Sequence, residues 1–339
     1  MNPDPETIII RPNVSHPLVS VVVLCHNHAP YIQQTLENIF SQVTDFPFET
    51  IINDDASSDG TTSVIRDVPM PSTGVTLISH KINKYSQGIN VGKYPMSIAR
   101  GEYIAFCEGD DFWISSEKLQ RQVHAMRRNR GLDLCVHPAM RLSMRTGKQK
   151  KGFDHGPEEH VVSPEAIIAR HNQFAPTASM LMRANAAQDL PDWFFNEPGL
   201  PVGDFFIEAI LGRKGVLYLP DTMSVYRRDV PGSYTNSFRR VSGETLEKRL
   251  QRMLYFVEKL RDMEGIPEAA LDQRLSYVRL NYALQFLSAG DRERFIRASR
   301  DIRLRGHGGL QAALAAMRRS RVAFAAGRQA FHALRRLKD

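Results

Sequence analysis

The 339-residue sequence has no run of about 18 uninterrupted apolar residues, and its start, Met1 to Pro17, is polar and proline-spotted without an apolar signal core. Neither a membrane-spanning segment nor a secretory leader is expected. The reading is of a cytosolic protein, with peripheral contact at the inner face of the cell membrane left open. Cysteine is scarce: Cys25, Cys107 and Cys135 all lie in apolar runs with no CxxC or Cys/His ligand spacing. That excludes a disulfide scaffold and a zinc site of the usual spacing, and predicts buried free thiols in a reducing compartment. Internal repeats and low-complexity segments are absent too. Outside the tail there is little net charge. Of the formal +7, Asp291 to Asp339 holds 13 Lys/Arg against 4 Asp/Glu, leaving 31 against 33 for the rest. A nucleic-acid surface spread over the main domain is thereby excluded, and the basic character belongs to the tail.

With 42% hydrophobic residues the chain can bury a full core. Leu18 to Leu24 is a continuous β-branched run, as expected of a strand buried on both faces. Pro30 then opens a helical pattern with Ile32, Leu36, Ile39 and Phe40 on one face. Further strands are predicted at 49–53, 75–80 and 103–107, with helices after Gly60 and through 91–99. This alternation favours a Rossmann-like, mostly parallel sheet with flanking helices. A helix over about 116–129 and a strand over 132–138 follow, then a basic, glycine-punctuated hairpin or loop from Met140 to Gly156. A mixed stretch runs to Arg228. Helices are expected over about 243–290 and 309–337, giving a helical, basic C-terminal region over 240–339.

Two of the strands run straight into acids. One ends in Glu108-Gly-Asp110-Asp111, the other in Asp54-Asp55 with Asp59 beyond. Carboxylates crowded at a strand end raise one another's pKa, so a site that keeps them ionised usually supplies a positive charge. A hard cation, Mg²⁺ or Mn²⁺, fits, since it takes oxygen ligands and leaves positions for phosphates. In open α/β sheets such strand ends converge on one ligand site.

Taken together, Val-Ser-Val-Val-Val-Leu-Cys-His-Asn27, Asn-Asp-Asp-Ala-Ser-Ser-Asp-Gly-Thr61 and Phe-Cys-Glu-Gly-Asp-Asp-Phe-Trp113 resemble, in order and spacing, the nucleotide-sugar domain of glycosyltransferase family 2. The resemblance covers about residues 16–235, with a nucleotide-sugar half to about 115 and an acceptor half from 116. It implies the GT-A fold, a nucleoside-diphosphate sugar donor with uridine diphosphate as the default, a divalent metal and inversion at the anomeric carbon. By position, Cys25, His26 and Asn27 would line the nucleotide pocket, although His26 and Asn27 serve equally as turn formers. Asp55 would contact the base with Asp54 beside it, and Asp59 reads better as a helix cap. Glu108-Gly109-Asp110 occupies the DXD position, with Asp110 the metal ligand and Glu108 on ribose or metal-bound water. Asp111 either joins them or caps the next helix, and Gly109 keeps the backbone clear for the pyrophosphate. The segment His80 to Gly92 resembles the family's Asn/Gly-rich stretch beside the nucleotide; Asn83 belongs to it, and Lys81 or Lys84 could meet phosphate.

An inverting transfer needs a base for the acceptor hydroxyl. The resemblance assigns it to Asp204, in Leu-Pro-Val-Gly-Asp-Phe-Phe-Ile207, where a helix N-cap is the coexisting role. Thr177 and Ser179 would hydrogen-bond the acceptor, a glycan or lipid-linked glycan of the cell surface. Arg227 would close over the diphosphate. No Gln-x-x-Arg-Trp sequence occurs, which favours transfer of a single sugar over processive synthesis. In the tail, Leu310, Leu314, Met317, Phe324 and Phe331 fall near one helical face, for an anionic membrane or for packing on the chain itself. Two rival readings remain. A sugar-phosphate nucleotidyltransferase would carry a Gly-rich, Arg-containing loop where Cys25-His-Asn-His-Ala-Pro30 stands, and a non-catalytic binding module would be free to lose Asp55, Asp110 or Asp204.

Overall fold

The structure, a computed structural model, describes residues 6–11, 15–69, 71, 73–231 and 241–336. The chain divides into two compact units: one holds the residues up to 236 except Ile168–Asn172, and the other holds that short segment and the residues from 237 on. The boundary expected between 235 and 240, and the helix end expected at Leu337, lie outside the described residues.

Thirteen strands occur among the described residues: β1 (Glu6–Arg11), β2 (Val19–Cys25), β3 (Phe48–Asp54), β4 (Gly74–Ser79), β5 (Tyr103–Glu108), β6 (Phe112–Trp113), β7 (Leu134–Val136), β8 (Ala139–Ser143), β9 (Gln149–Gly152), β10 (His160–Val162), β11 (Leu181–Arg183), β12 (Val216–Tyr218) and β13 (Ser224–Arg228). Nine of them form one sheet in the order β1-β4-β3-β2-β5-β11-β7-β12-β10. Strands β4, β3, β2 and β5 are parallel, because the helices Ile32–Phe40, Thr61–Asp67 and Lys93–Ile98 carry the chain back between them. Val19, Val21, Val22 and Val23 are fully buried, as a strand covered on both faces requires. Antiparallel β11 is inserted between β5 and β7, and antiparallel β1 closes one edge along β4. Sequence reading assigned no element to either.

The strand order reverses at β2, between β3 and β5, and this is where a doubly wound sheet opens a crevice. Register brings the strand ends level, with Cys25 opposite Asp54 and Leu24 opposite Glu108. A second sheet, β6-β13-β8-β9, continues from the acidic turn after β5. The basic stretch after Met140 is a hairpin here, β8 with β9.

Beneath that turn lies a buried polar chain. Trp113 Nε1 donates to Ala178 O (2.9 Å), Lys118 Nζ stands 4.1 Å from the Trp113 ring centroid and donates to Gln122 Oε1 (2.8 Å), and Gln122 Nε2 donates to Ser179 O (2.8 Å). Burial pushes the Lys118 amine down to about 7. Between about pH 7 and the unfolded value near 10.5 the unfolded chain holds the extra proton, so Lys118 makes the fold more stable as pH rises through that window and weighs fully against it below. In Lys118→Met the pH slope of stability between 7 and 10 is expected to fall by about 1.4 kcal/mol per unit at most. Urea denaturation of both proteins at pH 7 and 9.5 measures this, and parallel slopes would remove Lys118 as the titrating group.

The second unit is helical. Its helices Gly243–Glu258, Glu268–Ala289, Arg292–Ser299, Gly308–Arg319 and Arg321–Arg336 include two capped starts, where Ser242 accepts the Thr245 amide and Asp291 the Arg294 amide. The two long helices expected from sequence are each broken, the second at Ser320. Leu314, Met317 and Phe324 are buried within this unit, Phe324 edge-on to Phe295 with ring centroids 5.3 Å apart. No described helix is long and apolar enough to cross a membrane.

Candidate active site

The loops after β2 and β3 are laced into one wall. Asn27 and Ala56 both adopt left-handed backbone (φ 55° and 57°), turning the chain sharply past the strand ends. Asn27 Oδ1 accepts the Ser58 amide (2.8 Å), the Ser57 hydroxyl accepts the Asn27 amide (2.9 Å), and Thr61 Oγ1 accepts the His28 amide (2.8 Å). Asp59 accepts the amides of Ala29 and Thr61 (3.0 Å each), so it fastens both the helix start and the neighbouring loop. Asp54 is buried and accepts the Ser57 amide (3.1 Å) and the hydroxyls of Ser57 and Thr62. Its carboxylate therefore holds its own loop and does not face a ligand.

Asp55, next to it, turns the other way. Its two oxygens accept the amides of Lys84 (2.6 Å) and Tyr85 (3.0 Å), which orders the segment His80–Gly92 against the strand ends. His26 Nδ1 donates to Asp55 O (2.7 Å), and Asn83 Nδ2 donates to the same carbonyl (3.2 Å). His26 and Asn27 are exposed and Asn83 half-buried, so these three form a polar rim. Lys81 is exposed and Lys84 buried. Cys25 is a correction: its thiol points inward to Asn53 O (3.5 Å) and is pushed well above its ordinary pKa by burial, so its side chain belongs to the core and not to the pocket.

Segment His80–Gly92 is in turn clasped to residues 192–201. The Gly199 amide donates to Gly88 O (2.6 Å) and Asn90 Nδ2 to Phe194 O (3.0 Å), and just past the segment Lys93 Nζ donates to Asn196 Oδ1 (2.5 Å). Gly88 and Gly199 both have positive φ (78° and 85°), and a Cβ on Gly88 would sit 2.9 Å from the Gly199 nitrogen. Only bare backbone permits that approach.

At the end of β5, Gly109 is wedged against the β2 loop. A Cβ there would lie 2.7 Å from Cys25 Cβ and 2.8 Å from His28 Nδ1. Burial first, then Asp110 and Asp204, push the Glu108 carboxyl up to about 8. The charge of Asp204 thus acts on Glu108. Asp204 lies in the first turn of helix Gly203–Leu211, its Oδ2 accepting from Gln173 Nε2 (2.6 Å). Glu208, one turn on, accepts the Ala175 amide (3.0 Å), so this helix grips the chain leading to Thr177–Ser179. Thr177 is half-buried; Ser179 is fully buried and donates to Pro176 O (2.7 Å), which corrects its expected role as an acceptor contact.

Asp111 does not cap the next helix. Its Oδ1 accepts the Arg227 amide (2.8 Å), tying β13 to the acidic turn, and burial pushes its pKa well up. Arg227 is a further correction. Its guanidinium donates to Asp110 O (2.6 Å) and to Gln34 Oε1, and lies 4.5 Å and 5.1 Å from the ring centroids of Phe112 and Tyr31. It braces the turn from beneath instead of closing over a diphosphate. Gln34, Tyr31, Gln173, Glu208 and Tyr226 were not singled out from sequence, because each acts through a partner distant in the chain. Only Tyr226 carried a signal, its place beside Arg227.

Among the described residues no group of three or more His, Cys, Asp or Glu side chains converges as a metal cage. The donor set still fits a hard cation shared with a ligand. Glu108 is half-buried, no positive group among the described residues offsets its charge, and it is opposed by two carboxylates; a divalent ion beside Asp110 would reverse that sign.

Comparison with known proteins bears out the class. The profile of glycosyl transferase family 2 matches residues 20–235, and the chain belongs to that family. It is therefore a glycosyltransferase, and its fold is GT-A. An uncharacterized protein of Mycobacterium tuberculosis is 30% identical over 262 residues, 73% of this chain and 71% of its own. The Escherichia coli UDP-Glc:alpha-D-GlcNAc-diphosphoundecaprenol beta-1,3-glucosyltransferase WfaP is 33% identical over 109 residues, 32% of this chain and 41% of that one. The crystal structure of S. aureus TarS 1-349 in complex with UDP-GlcNAc superposes with a TM-score of 0.64 at 17% identity, covering 95% of this chain and 92% of that one.

Proposed function

We propose that the protein is an inverting, metal-dependent glycosyltransferase that moves one sugar from a uridine-diphosphate sugar to a hydroxyl of a glycan or lipid-linked acceptor in cell-surface glycan assembly. The observation that carries it is that the acid-tipped ends of β3 and β5 lie level on either side of β2 at the switch point of the sheet, with Cys25 opposite Asp54 and Leu24 opposite Glu108. The name of the relative WfaP gives UDP-Glc as its donor, which supports that nucleotide.

In this reading the rim of His26, Asn27 and Asn83 receives the nucleoside, and Asp55 keeps that rim in place by holding the amides of Lys84 and Tyr85. Asp110, with Glu108, would hold Mg²⁺ or Mn²⁺, which supplies positive charge to the diphosphate as it leaves. Asp204 takes the proton of the acceptor hydroxyl as that oxygen attacks. Gln173 fixes the Asp204 carboxylate in place. Arg227 keeps the acidic turn rigid, so that the charge of Asp110 is aimed before the ligand arrives.

Thermal-shift measurements with uridine, guanosine and thymidine diphosphates, each with Mn²⁺ or with a chelator, test the donor half. Uridine diphosphate at about 100 times its Kd is expected to stabilise the protein by about 2.7 kcal/mol with metal present. Equal shifts with chelator would remove the metal, and no shift with any nucleotide would remove the donor site.

A further inference from the structure

Directly opposed residues of a ladder project on the same face of the sheet. In the small sheet Tyr226 of β13 stands opposite Arg141 of β8, and Arg141 opposite Lys150 of β9. A phenol, a guanidinium and an ammonium therefore form one row across three strands.

The inner end of the row adjoins the acidic turn, because Val225, next to Tyr226, pairs with Phe112, the residue after Asp111. Burial first, then the charges of Glu108, Asp111, Asp204 and Asp110, push the Tyr226 phenol well above its ordinary pKa. The middle of the row is held in shape. The Phe153 ring meets Tyr226 edge-on (centroids 5.8 Å apart, 82°), and the Arg141 guanidinium lies 5.7 Å from the same ring centroid. Phe153 adopts a left-handed backbone (φ 58°) to reach that position, an outlier for a bulky residue. Gly152 completes the seat, since a Cβ there would lie 2.7 Å from Arg141 Nε.

The outer part is cationic and uncompensated. From Ala139 to Gly152 the hairpin carries five Lys/Arg and no acid. Lys151, opposite Met140 and so on the other face, pairs with Asp154 (2.9 Å); Arg141 and Lys150 have no acidic partner among the described residues. A guanidinium pre-oriented on a ring, with its fork unpaired, is suited to a phosphate or a carboxylate.

We propose that Tyr226, Arg141 and Lys150 form an anion-reading subsite for the acceptor, which binds a phosphate or carboxylate of the acceptor glycan beside the hydroxyl presented to Asp204. This rests on the transferase reading above and narrows its acceptor to a charged glycan.

The test is binding of the full chain, saturated with uridine diphosphate and Mn²⁺, to three oligosaccharides of equal length: neutral, uronate-containing and phosphodiester-containing. Both anionic probes are expected to bind about tenfold tighter than the neutral one, and the tighter of the two identifies the group. Arg141→Gln and Lys150→Gln are each expected to weaken anionic binding by about two- to fivefold, the range of a solvent-exposed ion pair. Neutral binding should hold, and Lys248→Gln in the helical unit should change nothing. Equal binding of neutral and anionic probes, or unaltered anionic binding in both variants, would overturn the subsite. The nucleotide thermal shift on the same samples is read separately, so loss of the donor site is distinguishable from loss of the anion site.

Discussion

Asp204→Asn is expected to slow sugar transfer by a factor of about 10²–10⁴ while nucleotide binding is retained. The substitution keeps the volume of the side chain and one oxygen for the two donors that Asp204 serves, Gln173 Nε2 and the Phe205 amide, and it removes the carboxylate base. Folding should be little changed, because helix Gly203–Leu211 is fixed by its buried Phe205, Phe206, Ile207, Ala209, Ile210 and Leu211. The removed charge also relieves Glu108, whose raised pKa owes part to Asp204, so metal-dependent nucleotide affinity should hold or rise slightly. Initial transfer rates and the uridine diphosphate thermal shift are the two readouts. Unchanged turnover would take Asp204 out of the mechanism, and loss of both readouts together would make its role structural.

Gly109→Ala is the second large effect, and it acts through packing. The added methyl would meet Cys25 Cβ at 2.7 Å, His28 Nδ1 at 2.8 Å and Ile32 Cδ1 at 3.1 Å, all from core or half-buried positions that have little room to yield. Overpacking of this kind costs about 1–3 kcal/mol. The relief available to the chain is to push the turn outward, which carries Glu108 and Asp110 away from the β2 loop. The expected result is a lower urea midpoint together with loss of the metal-dependent part of the nucleotide shift. A variant as stable as wild type, with its metal response intact, would show that the turn has slack the geometry denies.

How far the sequence foretold this arrangement depends on how local the cause is. The parallel strands were legible because an unbroken run such as Val-Ser-Val-Val-Val-Leu-Cys25 suits only a strand covered on both faces, and because the acids follow directly in sequence. Strand β1 was missed although Ile8-Ile9-Ile10 form a short β-branched run, since polar and proline-rich neighbours masked it, and β11 since three residues, Leu181 to Arg183, carry no periodicity. At the site, alternation along β13 was decisive. Tyr226 and Arg227 are neighbours in sequence and face opposite sides of their sheet, so the cation expected above the diphosphate lies beneath the turn instead. Asp54 and Asp55 part in the same way, one bonded to Ser57 and Thr62, the other to the amides of Lys84 and Tyr85. Which of two adjacent acids faces a loop is set by partners about 3 and 30 residues away, and no spacing rule reports that.

The Gly88–Gly199 clasp has a kinetic consequence. The segment ordered by Asp55 and the strap that leads into Asp204 share a backbone hydrogen bond and a side-chain bond, with a second side-chain bond just past the segment, so neither can swing without dragging the other. On the reading proposed above, departure of the spent nucleotide and withdrawal of Asp204 are therefore expected to go together.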